Sequence, residues 1–223
     1  MKWLISCAVL SLVSDVAQAA DDRQFVLVDL QPYATQKRDD GLGSGIEGNN
    51  LANVPGGEQI LEGIKFKIGE GIVHLGSNIV DRHPEKVEGI KVDAKCGQLH
   101  ILHATCFGGG PNKPGDPFYI KDGTLIGQYM VRYSDGAAEG VAIVYGEDVR
   151  DWFYVDDEAK TSRGKIVWSG ENDRAAMLEA KIRLYLTTWK NPHPDKTIKS
   201  IDYVGRKSET PCAPFCVAIT VEQ

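Results

Sequence analysis

The chain has 223 residues, 42% of them hydrophobic and 25% charged, and 25 Lys and Arg stand against 31 Asp and Glu for a formal net charge of −6. That balance argues against nucleic acid as a partner, because neutralising a phosphate backbone takes a basic face. The length suits one β domain with a sizeable core, and four Cys beyond the first twenty residues are too few for a disulfide scaffold, so packing must carry the fold.

The first twenty residues, MKWLISCAVLSLVSDVAQAA, combine a positive start at Lys2, an apolar run from Leu4 to Val13 and the small-x-small pattern Ala17-Gln18-Ala19. This is the pattern of a secretory signal peptide over residues 1–19, leaving 20–223 as a single β-sandwich domain. Acylation at Cys7 is disfavoured, since only six residues precede it. The apolar run is shorter than the ~20 residues a spanning helix needs, and no later run is longer, so no membrane span is expected. The expected location is secreted or periplasmic.

Short β-rich runs then recur between turn signals: FVLVDL, IKFKI, IVHL, EGIKV, LHILHAT, LIGQYMVRY, VAIVYG, KIVWS, KIRLYLTTW, TIKSIDYV and FCVAITV. Without a long helical pattern among them, they indicate an all-β protein, a two-sheet antiparallel β-sandwich. In Lys181–Trp189, Ile182, Leu184 and Leu186 alternate with Arg183, Tyr185 and Thr187, the pattern of a half-buried strand. Asp135-Gly136 marks a hairpin turn, KTSRGK another tight connection, and DRAAMLEA one helical turn. Gln36–Gly57 and Phe107–Gly123, rich in Gly, Asn and Pro, read as long loops of the kind that are often functional or mobile.

The stretch QLHILHATCFGGG carries two histidines and a cysteine. In a strand, His100 and His103 point to opposite faces, so they do not form a metal pair; one is expected in the core or an interface, the other near a surface. Cys106 lacks the basic partner a thiolate nucleophile needs. A bond between Cys96 and Cys106 is disfavoured because ten extended residues separate them, whereas Cys212 and Cys216 could close a local loop, pair with the earlier cysteines, or remain buried thiols. No G-x-S-x-G, H-E-x-x-H, Walker A or EF-hand pattern occurs.

Glu147, Asp148 and Asp151 cluster in GEDVRDWFY, where the favoured reading is a solvated turn with an Asp–Arg pair around Arg150 and the lesser one a calcium site. Trp152, Phe153, Tyr154, Trp168, Tyr185 and Trp189 lie at strand ends or on polar faces beside Asn172, Asn191 and His193. Aromatic faces stacking on sugar C–H surfaces, with Asn, Asp and Arg bonding the hydroxyls, make carbohydrate the ligand chemistry these residues suit, although most Trp in such a fold are core.

The strings PGGEQILEGIKFKIGEGIVHLGS, PEKVEGIKVDAKCGQLHILHAT, IGQYMVRYSDG, VAIVYGEDVRDWF, LYLTTWKNPHPDKTIKSIDYV and PFCVAITVE resemble an uncharacterised bacterial family of exported β-sandwich domains with a galactose-binding-like jelly roll, similar to carbohydrate-binding modules appended to glycosidases. The likeness covers most of the chain from about Phe25. Phe153 stands where the family pattern has Trp, and Cys96, Cys106 and Cys212 are not part of it. The resemblance implies two antiparallel sheets, ligand loops at one rim and sometimes a structural calcium; no other cofactor is implied. It also implies a module attached to an enzyme, but here the sequence ends right after its last strand, so no catalytic partner domain is expected on it. The segments GEDVRDWFY and TTWKNPHPD become rim segments that could converge.

The expected function is therefore a non-catalytic exported binding module for carbohydrate or a cell-envelope component, with Arg150, Asp151, Trp152, Trp189, Asn191 and His193 as contacts. The alternatives are a structural or protein-interaction domain of the envelope and, third, a hydrolase acting on glycans.

Overall fold

The computed structural model describes residues 23–108, 114–115, 118–155 and 160–223; the expected leader lies outside them, as does part of the second expected loop. In chain order the elements are β1 (Phe25–Leu27), a 3-10 turn (Gln31–Tyr33), β2 (Gln36–Lys37), β3 (Gly57–Leu61), β4 (Ile64–Ile68), β5 (Gly71–His74), β6 (Lys86–Lys95), β7 (Gln98–Cys106), β8 (Leu125–Tyr133), β9 (Ala138–Val144), β10 (Phe153–Tyr154), β11 (Lys165–Gly170), α1 (Asp173–Met177), β12 (Lys181–Lys190), β13 (Thr197–Gly205) and β14 (Ala213–Glu222). All eleven runs read from the sequence contain a strand. The strands not foreseen, β2, β3 and β10, are short or begin in Gly-rich sequence.

The protein is all-β, with antiparallel sheets. The larger sheet runs β10-β12-β7-β14-β5-β2, with β1 added to β14 and β11 added to β12. The smaller runs β6-β13-β8-β9, and β3 and β4 form a separate hairpin. No helix among the described residues is long and apolar enough to cross a membrane.

The central strands β7 and β14 are buried along almost their whole length rather than on alternate residues. One face of β7 meets the smaller sheet: His103 Nδ1 lies 3.2 Å from the Tyr129 hydroxyl on β8, and Tyr129 stacks on Tyr203 of β13 with centroids 4.5 Å apart. The other face is covered by a third layer. In β4, Ile64, Phe66 and Ile68 are buried while Lys65 and Lys67 are exposed, and the Thr220 hydroxyl of β14 donates to the Lys65 carbonyl at 2.7 Å. Residues 38–54 complete this layer.

The sequence suggests a long loop here, but it is a folded segment with Leu42, Leu51 and Val54 in the core. Leu51 N–H donates to the Arg38 carbonyl, and the Arg38 guanidinium donates to the carbonyls of Leu51, Ala52 and Val54. A cation tied to backbone carbonyls supplies the partners that a segment without a strand ladder otherwise lacks.

Double coverage also corrects the expectation for β12. Its faces alternate as the sequence indicates, but Arg183, Tyr185 and Thr187 are buried along with Ile182, Leu184 and Leu186. Arg183 is accommodated by a bond to the Asp151 carbonyl at 2.9 Å and by the Tyr154 ring at 4.2 Å.

The two histidines of β7 do point apart. His103 bonds the Thr187 hydroxyl at 2.9 Å on the inner face, whereas His100 lies 2.8 Å from the Thr188 hydroxyl and 3.0 Å from the Glu222 carboxylate on the outer one. Both are buried, because the third layer removes the surface at which one was expected. The four thiols among the described residues are free and buried, and desolvation pushes those of Cys96, Cys212 and Cys216 up to about 12.

Burial lowers the pKa of His103 from 6.5 to about 4. The folded state thus prefers the neutral ring, and the associated stability is present above pH 6.5 and lost as pH falls towards 4. Unfolding by urea is expected to need about 2 kcal/mol less at pH 5 than at pH 7 on account of this residue. His103→Gln should remove that share of the pH dependence; an unchanged slope would assign it elsewhere.

Candidate functional site

The six expected contacts do not converge. Asp151 bridges Thr105 at one end of β7, while Trp189 pairs with Leu99 six residues away, a separation of ~20 Å along an extended strand. The two segments read as one rim lie towards opposite ends of the large sheet.

Most of the six are also structural. Trp152 is 2% exposed and packs edge-on against Phe215, with centroids 5.8 Å apart. Asn191 is buried: its amide donates to the carbonyls of Cys96 at 2.8 Å and His193 at 3.1 Å, and its oxygen accepts from the Tyr133 hydroxyl at 2.5 Å and the His193 N–H at 2.9 Å. Those four bonds fill its capacity. Trp189 is partly buried against the core. His193 is more open, with Nε2 3.2 Å from Glu139 and its ring edge-on to Tyr133.

The acidic cluster is likewise committed. Arg150 pairs with Asp122 at 2.7 Å, not with an acid of its own segment, and its guanidinium lies 5.4 Å from the Tyr145 ring. Asp148 is buried and binds Arg163 through both oxygens, at 2.9 and 2.6 Å, while Glu147 meets the same guanidinium at 2.9 Å. Asp148 also accepts the Val144 N–H at 2.8 Å, and Asp151 accepts the Phe153 N–H at 3.1 Å. Arg163 stands where a calcium ion would have to sit, so this residue set does not fit that metal.

Trp168 faces an open depression. It lies on β11, which among the described residues pairs only with β12 and forms an edge of the large sheet. Register puts Trp168 opposite Leu184 and Gly170 opposite Ile182, so both lie on the outer face. A Cβ on Gly170 would stand 2.8 Å from two carbons of the indole, which means that the ring lies closely over this glycine. Glycine is needed here for space, and any larger residue would displace the ring.

Around the indole, Asn53, Ser169, Glu171 and Lys181 complete a depression of about 570 Å³. The Asn53 amide donates to the Glu171 carbonyl at 2.8 Å, which fixes it and leaves its oxygen as an acceptor. Ser169 bonds the Tyr154 hydroxyl at 3.0 Å. The Glu171 carboxylate and the Lys181 ammonium form no ion pair or side-chain hydrogen bond among the described residues. The depression therefore offers an apolar platform with an acceptor, an anion and a cation at its margin. Trp168 was among the aromatics that the sequence brought forward; Asn53, Glu171 and Lys181 were not, and they come together only through folding of residues 38–54 onto the β11–α1 connection.

Strand content, antiparallel pairing and a three-layer core define the class as an all-β sandwich. No protein-family model matches the chain, and no curated protein matches it.

Replacing Asn191 with Ala would orphan the Tyr133 hydroxyl and the Cys96 carbonyl in the interior, at a cost of about 2 to 3 kcal/mol. Denaturant unfolding should show this loss; an unchanged midpoint would show that the His193 turn holds without the amide.

Proposed function

We propose that the protein is a non-catalytic exported binding module, of the kind its sequence resembles, and that it takes carbohydrate on the Trp168 face. The observation that carries this reading is the indole laid over Gly170 at the sheet edge, bordered by the Asn53 oxygen and by Glu171 and Lys181, whose charged groups have no ion pair among the described residues. A sugar offers C–H patches to such a ring and hydroxyls that both donate and accept; Asn53, Glu171 and Lys181 supply the complementary partners. Only the fraction of the binding energy beyond the cost of ordering the ligand appears as affinity, so an open platform of this kind suits a repeating polymer better than a single ring. A secreted or periplasmic location follows from the signal-peptide pattern and belongs to the same proposal.

A protein-interaction role through the free edge of β11 is the second reading. It is weakened by the register shift between Ile166 and Trp168, since a bulge twists an edge away from strand addition.

A panel of immobilised glycans is the direct test. The chain should retain at least one, and Trp168→Ala should weaken that binding by about tenfold or more, equivalent to ~1.4 kcal/mol. Gly170→Ala should weaken it as well by lifting the ring, with little effect on stability. Retention of no glycan, or equal binding by Trp168→Ala, would reject the proposal.

A further inference from the structure

A second depression, of about 360 Å³, opens on the same outer side, where β7 ends. Its walls are Phe107, Phe118, Trp152, Phe153 and Leu178, with the Cys106 thiol among them. Burial drives that thiol well above its usual range, so the sulfur is neutral and the wall is apolar. Phe107 and Phe118 meet with ring centroids 5.3 Å apart, and both hold left-handed backbone, at φ 59° and 66°. Bulky residues seldom adopt that conformation, and strain of this sort is kept where the surrounding structure imposes it. Phe118 and Leu178 remain 44% and 45% exposed at the opening.

The polar groups set the ligand's charge. Arg174, on α1, lines the opening and has no ion pair or hydrogen bond from its side chain among the described residues. The Asn172 side chain caps α1 by accepting the Ala175 N–H at 2.7 Å, and the Arg174 N–H donates to the Gly48 carbonyl, which together fix where the guanidinium starts. Asp151 is also in the lining, buried, with one oxygen held by the Phe153 N–H. An anionic head is therefore drawn to Arg174 at the opening, which leaves the aromatic interior to the apolar part of the ligand.

We infer that this pocket binds a small apolar carboxylate, its acyl or aromatic part among Phe107, Phe118, Trp152, Phe153 and Leu178 and its carboxylate on Arg174. The site is separate from the Trp168 platform and does not depend on the carbohydrate reading.

The full chain should be titrated with 3-phenylpropionate and, in parallel, with the uncharged 3-phenylpropionamide, binding being followed by NMR chemical shifts and by the melting temperature. The carboxylate is expected to bind and to raise the melting temperature, with the amide weaker by about tenfold, the scale of one charge-assisted hydrogen bond. Arg174→Met should abolish the preference and Arg174→Lys should keep part of it, while Trp168→Ala should leave it unchanged. Since Arg174 is a partly exposed residue without side-chain partners among the described residues, neither of its variants threatens the fold. Equal binding of acid and amide, an unchanged preference in Arg174→Met, or no binding of either probe at 10 mM would overturn the inference.

Discussion

The structure depends on burial of β7 and β14 from both sides. Two adjacent strands without a polar face cannot rest on one opposing sheet; each needs a second cover, or its outer residues would present a continuous apolar surface to water. The smaller sheet supplies one cover through Tyr129, Tyr203 and Val131. The β3–β4 hairpin and residues 38–54 supply the other, and they account for buried Phe66, Leu42 and Leu51, none of which belongs to either main sheet. At roughly 25 cal/mol per Å² of apolar surface, covering both faces is the largest favourable contribution available to a fold with no disulfide among its described residues.

Several polar groups inside this arrangement are tolerated because they find partners there. His103 sits between Thr187 and Tyr129, His100 between Thr188 and Glu222, and Asp148 against Arg163. Such groups fix register more than they stabilise: a slip of β12 by one residue would carry Thr187 away from His103 and turn Arg183 from Tyr154 to the other face.

The strands were legible because period-two runs between Gly, Asn and Pro clusters are a local signal, and His100 and His103 were placed on opposite faces by that alternation alone. What local reading could not supply was coverage. The pattern of β12 looks half-exposed, since Arg183, Tyr185 and Thr187 are polar, yet their partners come from Asp151, Tyr154 and His103, as much as 84 residues away in the chain. Residues 38–54 looked like a loop for the same reason: their backbone partners are the Arg38 side chain, each other and scattered groups such as Gln36, Glu70, Arg82 and Asn172, which leaves no periodic trace. The candidate contacts failed on distance, since GEDVRDWFY meets β7 and β12 at the ends far from TTWKNPHPD. Trp152 and Asn191 had the right chemistry for sugar, but Trp152 is packed against Phe215 in the core and the bonding capacity of Asn191 is spent inside the fold.

The covering layer also explains why open depressions occur where they do. A sheet-on-sheet interface interdigitates and leaves little room, whereas an irregular segment laid over a sheet meets it imperfectly at its margins. Residues 38–54 bond to the β11–α1 connection and the start of α1: Asn53 to the Glu171 carbonyl, Asn172 to the Asn50 carbonyl and the Asn49 side chain, and the Arg174 N–H to the Gly48 carbonyl. On one side of this seam Asn53 borders the Trp168 platform; on the other, Gly43 and Asn49 border the pocket beneath Arg174. One seam of backbone-directed bonds thus positions polar groups for both depressions. A substitution along it acts on both, whereas one in the smaller sheet reaches them only through global stability, because β6, β8, β9 and β13 contribute no residue to either lining.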